Sequence, residues 1–205
     1  VLKALAILFI SITVQAKLVP ETVSFSMTSR GQQSHYDLNF AFGNYISIGY
    51  NTRNIDLIDG DTISGNYGQL NVKLLDWTDR RGKRAHAYLS AGTGKFSNKT
   101  KSGILSSYAG HFDYIDPIYY FSITHYQLIT EAQDPYQTTS RLGASAYIAF
   151  EDELRTYVLI QHDQAPDIYD ETQLSVVISL MYRQYIGEIG TSFNGESWLF
   201  LGASF

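Results

Sequence analysis

Twelve stretches of this chain alternate apolar and polar residues with a period of two, and none sustains the 3.6-residue period of an amphipathic helix. In 174–182, Leu174, Val176, Ile178, Leu180 and Tyr182 share one face, with Ser175, Val177, Ser179 and Met181 on the other. Side chains alternate across a strand, so this pattern sets one face against an apolar phase and the other against a polar one. The strands read in this way are 22–30, 35–42, 45–53, 66–77, 85–94, 106–114, 119–127, 140–150, 155–163, 174–182, 185–193 and 198–205. Pro20, Pro117, Pro135 and Pro166 all fall between them, as expected of a residue with no N–H for the ladder.

Alternation alone also fits a soluble sandwich, whose apolar face meets a dry core. The polar face here is too hydrophilic for that alternative, since it carries Arg30, Arg53, Lys73, Arg141 and Arg155 together with Asp37, Asp113 and Glu188. The outward aromatics Phe42, Tyr114, Tyr119, Phe150, Tyr182, Tyr185 and Phe205 gather at one end of their strands, as a girdle at a membrane interface would. The connections at one end are roughly 4, 12, 11, 12, 10 and 4 residues long, against roughly 2, 7, 4, 4 and 2 at the other, an asymmetry of short inner turns and long outer loops. Gly43-Asn44 and Arg183-Gln184 read as two-residue hairpin turns. The expected fold is therefore all-β, an antiparallel transmembrane β-barrel of twelve strands, with ten as the alternative count.

Residues 1–16 read as a secretory signal peptide. Lys3 supplies the positive start, Ala4 to Val14 the apolar run, and Val14-Gln15-Ala16 the small residues before a cleavage site, leaving 17–205 as the barrel. That run is too short for a spanning helix. The chain has no Cys, so disulfides, thiolate metal sites and a lipidated cysteine are all excluded. A net charge of −5 argues against a nucleic-acid partner.

A signal peptide, alternating strands, an aromatic girdle and a last strand ending in Phe205 with outward Ala203, Leu201 and Leu199 together resemble Gram-negative outer-membrane β-barrel proteins. The resemblance spans 17–205. It implies the bacterial outer membrane as location, and contact with outer-membrane lipid and lipopolysaccharide. It also implies recognition of the C-terminal strand by the barrel-assembly machinery. By size the chain resembles small twelve-stranded monomeric channels such as the acidic-oligosaccharide porins.

Chemistry-bearing motifs are few. Ala91-Gly92-Thr93-Gly94-Lys95-Phe96 lacks the first glycine and the Ser/Thr of a phosphate loop, and no G-x-S-x-G elbow occurs. Among the histidines, His125 and His162 face lipid; His35 and the pair His86 and His111 complete the set, and Asp113 lies two residues from His111 on the same face. That trio fits either a proton-transfer or metal site or a hydrogen-bonded lumen network. Ser29 is an outward serine near an outer end, the position a lipid-modifying enzyme would use. The candidate pore lining is Arg30, Asp37, Arg53, Lys73, His86, His111, Asp113, Arg141, Arg155, Asp163 and Glu188, with Arg183 at a turn. Their slight cationic excess favours anions, unless opposite charges pair across the lumen. Trp198 and Phe200 also face inward and narrow it. The acidic connections 54–65, 128–139 and 164–173 read as solvated loops that could also hold cations bridging lipopolysaccharide. The function expected is a narrow channel for small, anion-preferring solutes in a monomeric barrel, with no cofactor and no metal. A plugged barrel with a structural or surface-interaction role and a lipid-modifying enzyme are the alternatives.

Overall fold

The computed structural model describes residues 22–79, 82–149 and 153–204. The signal peptide, Phe150 and Phe205 lie outside the described residues. The elements are β1 (Val23–Arg30), β2 (Gln33–Ala41), β3 (Ile46–Asp56), β4 (Thr62–Thr78), β5 (Arg84–Ser97), β6 (Ser102–Ile115), β7 (Tyr119–Thr130), β8 (Tyr136–Ala144), β9 (Arg155–Gln164), β10 (Gln173–Tyr182), β11 (Tyr185–Ser192) and β12 (Ser197–Ser204). Each strand pairs antiparallel with its neighbours in sequence. β1 joins β12 from Ser24↔Ser204 to Ser29↔Leu199, which closes the sheet into a barrel. The strand count is twelve, and the alternative of ten falls.

The parity read from the sequence holds for most of the wall. Leu38, Ile48, Leu142, Ile160, Ile178 and Ile189 are exposed on the outside. Asp37, Asn51, Ser122, Gln161, Ser175 and Glu188 are buried inside. Large inward rings are accommodated by inward glycines on the next strand, the small-against-large pairing that lets a small barrel fill its interior. A Cβ at Gly190 would lie 2.2 Å from the Trp198 ring, and one at Gly94 would lie 2.5 Å from the Tyr67 backbone.

Three local expectations are corrected. First, β4 carries a bulge between Lys73 and Leu75, where the register to β5 passes from Lys73↔Tyr88 to Leu75↔Ala87. One extra residue reverses the parity of everything after it. Leu75 and Trp77 therefore face out, and Asp76 opposes His86.

Second, β8 runs from Tyr136 to Ala144 rather than over 140–150. Ser145 ends it. Its N–H bonds Ile118 O at 2.6 Å, and its hydroxyl donates to Tyr147 O at 2.7 Å, a local bond that competes with the ladder. Ala146 and Ile148 consequently lie in the connection to β9, and the long 128–139 loop shrinks to 131–135.

Third, the expected loop asymmetry is absent. β3 to β7 reach further than the pattern suggested, leaving 57–61, 98–101 and 131–135 as connections at one end. The turn at Gly43-Asn44 widens to 42–45, and the longest connection at the other end is 145–154.

The extension of these strands beyond the alternating stretches has a physical cause. Near 57–61 and 165–172 the inside of the barrel is apolar, so alternation inverts. Inward Ile55, Ile63, Phe96, Leu105 and Leu128 pack with Ala165, Ile168 and Tyr169 of the β9–β10 connection in one buried cluster. Pro166 presets the turn in which Ile168 and Tyr169 N–H groups bond Ala165 O at 3.0 and 2.9 Å. Ile58 N–H bonds Asp167 O at 3.1 Å, tying this connection to the one at 57–61. Residues 165–172 thus form a lid. Asp167, Asp170 and Glu171 face outward as a loop's charges should, while its apolar residues turn into the mouth.

Replacing Gly190 by Ala should destabilise the folded barrel by about 1–3 kcal/mol, because the added methyl meets the Trp198 ring. Gly43→Ala is the control, since nothing lies within 4 Å of a Cβ there. Denaturant unfolding in detergent followed by Trp fluorescence reads both, and equal midpoints would contradict the packing described.

Candidate functional site in the lumen

The charged strand residues singled out in the sequence occupy the inside of the wall, whereas Arg183 is exposed at the β10–β11 turn, over the outward Tyr182 ring, and does not line the lumen. Ionised groups withdrawn from water need partners, and most of these have them. Arg30 donates to Asp163 Oδ2 at 2.6 Å and to Gln173 Oε1 at 2.7 Å, bonds that link β1 to β9 and β10. Asp163 also accepts from Thr139 at 2.6 Å, Gln161 at 2.7 Å and Gln137 at 3.2 Å. Arg141 on β8 meets Glu188 on β11 at 3.0 Å. Asp37 accepts from Ser26 at 2.7 Å and lies 2.8 Å from His35 Nε2. Arg155 is buried at the foot of β9 beside Tyr157.

A second group forms a line across four strands. Lys73 Nζ contacts Asp76 at 2.8 Å, and Asp76 lies 3.4 Å from His86 Nε2. His86 Nδ1 is 3.0 Å from Asp113 Oδ1, and Asp113 Oδ2 is 3.1 Å from His111 Nε2. His111 Nδ1 ends the line at Thr124 Oγ1, 2.7 Å away. The sequence brought His86, His111 and Asp113 together. It missed Asp76, which only the bulge turns inward. The line alternates carboxylate and imidazole, the composition of a hydrogen-bonded relay. Among the described residues no group of three or more His, Cys, Asp or Glu has the arrangement of a metal site.

Arg53 differs from the other cations. Among the described residues no carboxylate lies within ion-pair distance of it; its guanidinium stacks on the Tyr126 ring, 3.3 Å from the centroid. The Tyr126 hydroxyl is 3.2 Å from that of Tyr67, so tyrosines from β7 and β4 frame this arginine. Trp198 sits between two more guanidiniums, with Arg30 Cζ 6.0 Å and Arg141 Cζ 5.7 Å from its ring. Such contacts hold a cation by the ring quadrupole without neutralising it.

These groups surround a cavity of about 140 Å³ between the lid cluster and a second apolar cluster that includes Tyr120, Tyr157, Trp198 and Phe200. Among the described residues its lining includes Arg30, Arg53, Arg141, His35 and His111, and no carboxylate. The carboxylates that pair with these groups stand behind them rather than on the cavity surface.

Of the aromatic girdle, Phe42, Tyr119, Tyr182 and Tyr185 are exposed on the outer wall, and Tyr114 is half-buried on the same face. Outward Ser29 pairs with Ser34 and Leu199, whereas His125 and His162 stand on β7 and β9. No histidine therefore stands beside Ser29 on the outside. The acidic loop residues are partly engaged with one another's connections. Gln133 donates to Asp59 at 2.7 Å, Asn98 to Asp61 at 2.8 Å, and Lys99 to Gly60 O. Asp61 N–H, followed by Gln133, lowers the Asp59 carboxyl below its ordinary value. At the opposite end, hydrogen bonds from Ile118 N–H and Lys83 outweigh burial and lower Asp116. Comparison of the chain with protein-family models, curated proteins and solved structures gave no match.

Arg141→Met should destabilise the barrel by about 3–5 kcal/mol, because Glu188 is left buried without its partner. Arg141→Met with Glu188→Gln should recover most of that loss, and a double-mutant cycle in denaturant measures the coupling. The lid has its own signature. Burial pushes the Tyr169 phenol up to about 12, against the opposing pull of Arg30. Its contribution is full below the ordinary phenol value of about 10 and is lost as pH rises through the folded value. A difference spectrophotometric titration of wild type against Tyr169→Phe should show one phenol ionising late, together with release of the lid.

Proposed function

We propose that this protein spans the outer membrane of a Gram-negative bacterium and is a narrow channel for small anions, closed by its lid in the form described. The exposed apolar band supports the membrane reading, since soluble proteins rarely leave so much contiguous apolar surface in water. Closure through β1 and β12 leaves no unpaired strand edge, the condition for strands to lie in lipid. Export through the signal peptide, insertion by the barrel-assembly machinery through the last strand, and contact with lipopolysaccharide belong to this proposal.

One observation carries the choice of solute. Among the described residues the cavity presents three guanidiniums and two imidazoles and no carboxylate. Pore-lining cations lower the barrier for anions and raise it for cations. The lid favours a second reading, a permanently plugged barrel with a structural or surface-interaction role. Its dry cluster of Ile55, Ile63, Phe96, Leu105, Leu128 and Ile168 fills the mouth.

Planar-bilayer recording distinguishes the two. Intact protein should conduct little. A variant with Ile168→Ser and Tyr169→Ser, still folded by circular dichroism, should conduct more, with a reversal potential in a salt gradient on the anion side. A folded lid variant without conductance would leave the plugged barrel as the better reading. Cation selectivity would overturn the choice of solute.

A further inference from the structure

The lumen contains an excess of hydrogen-bond donors with nothing to receive them. Arg30 and Trp198 are buried to within 5 and 6% exposure, and Arg30 Nε and Trp198 Nε1 have no hydrogen-bond partner. Arg53 Nε and Arg141 Nε are in the same condition. All four residues line the one cavity, and three of them are guanidiniums, which can only donate. Unpaired polar atoms occur elsewhere in the wall too, among them Ser175 Oγ, Ser179 Oγ and His86 Nε2, but four donors gather around this cavity, and a buried donor left unpaired costs about 1–3 kcal/mol.

We propose that this cavity is a binding site for one small oxyanion, of the size of inorganic phosphate or a short monocarboxylate, with Arg53 as its principal partner. The site lies in the lumen interpreted above as an anion path and rests on that reading for its role, though not for its existence. A ligand rich in acceptor oxygens is what such a wall selects, since each charged ligand oxygen accepts from several N–H groups. Arg53 is the principal partner because its charge is the one no carboxylate offsets at contact distance. Arg30 and Arg141 are held in place from behind by Asp163 and Glu188, which fixes their orientation while part of their donor capacity stays free. Trp198 adds a neutral N–H between them.

Size sets the upper limit. The cavity is about 140 Å³. An apolar cavity of about 150 Å³ holds a benzene, so roughly six heavy atoms is the ceiling. A sugar acid or nucleotide exceeds it. Cations are repelled by the guanidiniums, and neutral acceptors gain hydrogen bonds without the added strength of a charge-assisted contact.

Isothermal titration of the full-length, folded protein in neutral detergent tests the site without any requirement for conduction. The probes are inorganic phosphate and acetate, with ammonium chloride as the cation control. One of the two anions should bind saturably with one site per chain and weaken as sodium chloride is raised. Arg53→Gln breaks no contact-distance ion pair among the described residues, and should lower the affinity about tenfold or more, one charge-assisted contact's worth. Arg183→Gln, at the β10–β11 turn, should leave affinity unchanged. If Arg53→Gln fails to fold, Trp198→Phe removes one N–H while keeping a ring, and should weaken binding severalfold. Absence of saturable binding by either anion overturns the proposal, as does equal binding by folded Arg53→Gln. Binding without conductance would keep the site and remove the channel; conductance without binding would do the reverse.

Discussion

Closure of the sheet is the constraint on which the rest depends. A twelve-stranded sheet left open would expose two rows of backbone donors and acceptors, and the pairing of β1 with β12 removes both. Once the ring is closed, pleat parity assigns every side chain to wall exterior or lumen. The exterior is mostly apolar, with many large apolar side chains exposed on it. The lumen takes most of the charge the strands carry, at a spacing short enough for ions to find one another. Arg30 reaches Asp163 and Arg141 reaches Glu188 because the ring brings distant strands face to face.

The polar interior is not uniform. Toward the lid it is a small dry core, in which aliphatic side chains from β3 to β7 pack against a turn of eight residues from the far side of the ring. Toward the other end it is a line of alternating carboxylates and imidazoles within ion-pair distance of one another. Between them lies a volume bounded by positive and neutral donors. Each zone follows from a local sequence choice: aliphatics at inward strand tips, His and Asp at opposed register positions, and Arg30, Arg53 and Arg141 at inward positions on β1, β3 and β8.

Much of this was legible beforehand. The closed all-β fold and the strand count follow from period-two alternation, because a barrel wall separates two phases everywhere along its length. The inward placement of His86, His111, Asp113, Trp198 and Phe200 follows from the same parity. Legibility failed where the two-phase rule failed. At Ile55, Ile63, Phe96 and Leu105 the inside is apolar too, so the strand tips looked like loops. At Lys73 and Leu75 a single extra residue reset the parity, and nothing in Val72-Lys73-Leu74-Leu75 announces a bulge. At Ser145 a side-chain bond ended a strand whose alternation continued beyond it. The β9–β10 connection was read from its charges, which do face water, and not from Ile168 and Tyr169 between them.

The seam between the first and last strands also determines when the interior comes into being. Arg30 and its partner Asp163 are 133 positions apart, and Trp198 arrives with the final strand. No local segment can form the donor-lined cavity in advance, because its walls come from both ends of the chain. Folding must therefore bear the entropy of a nearly full-length loop before these contacts stabilise anything. Until that moment the guanidiniums sit on the concave side of an open sheet, accessible to water. Closing the seam between β1 and β12 is in that sense a dehydration event, since it is what takes these charges out of solvent.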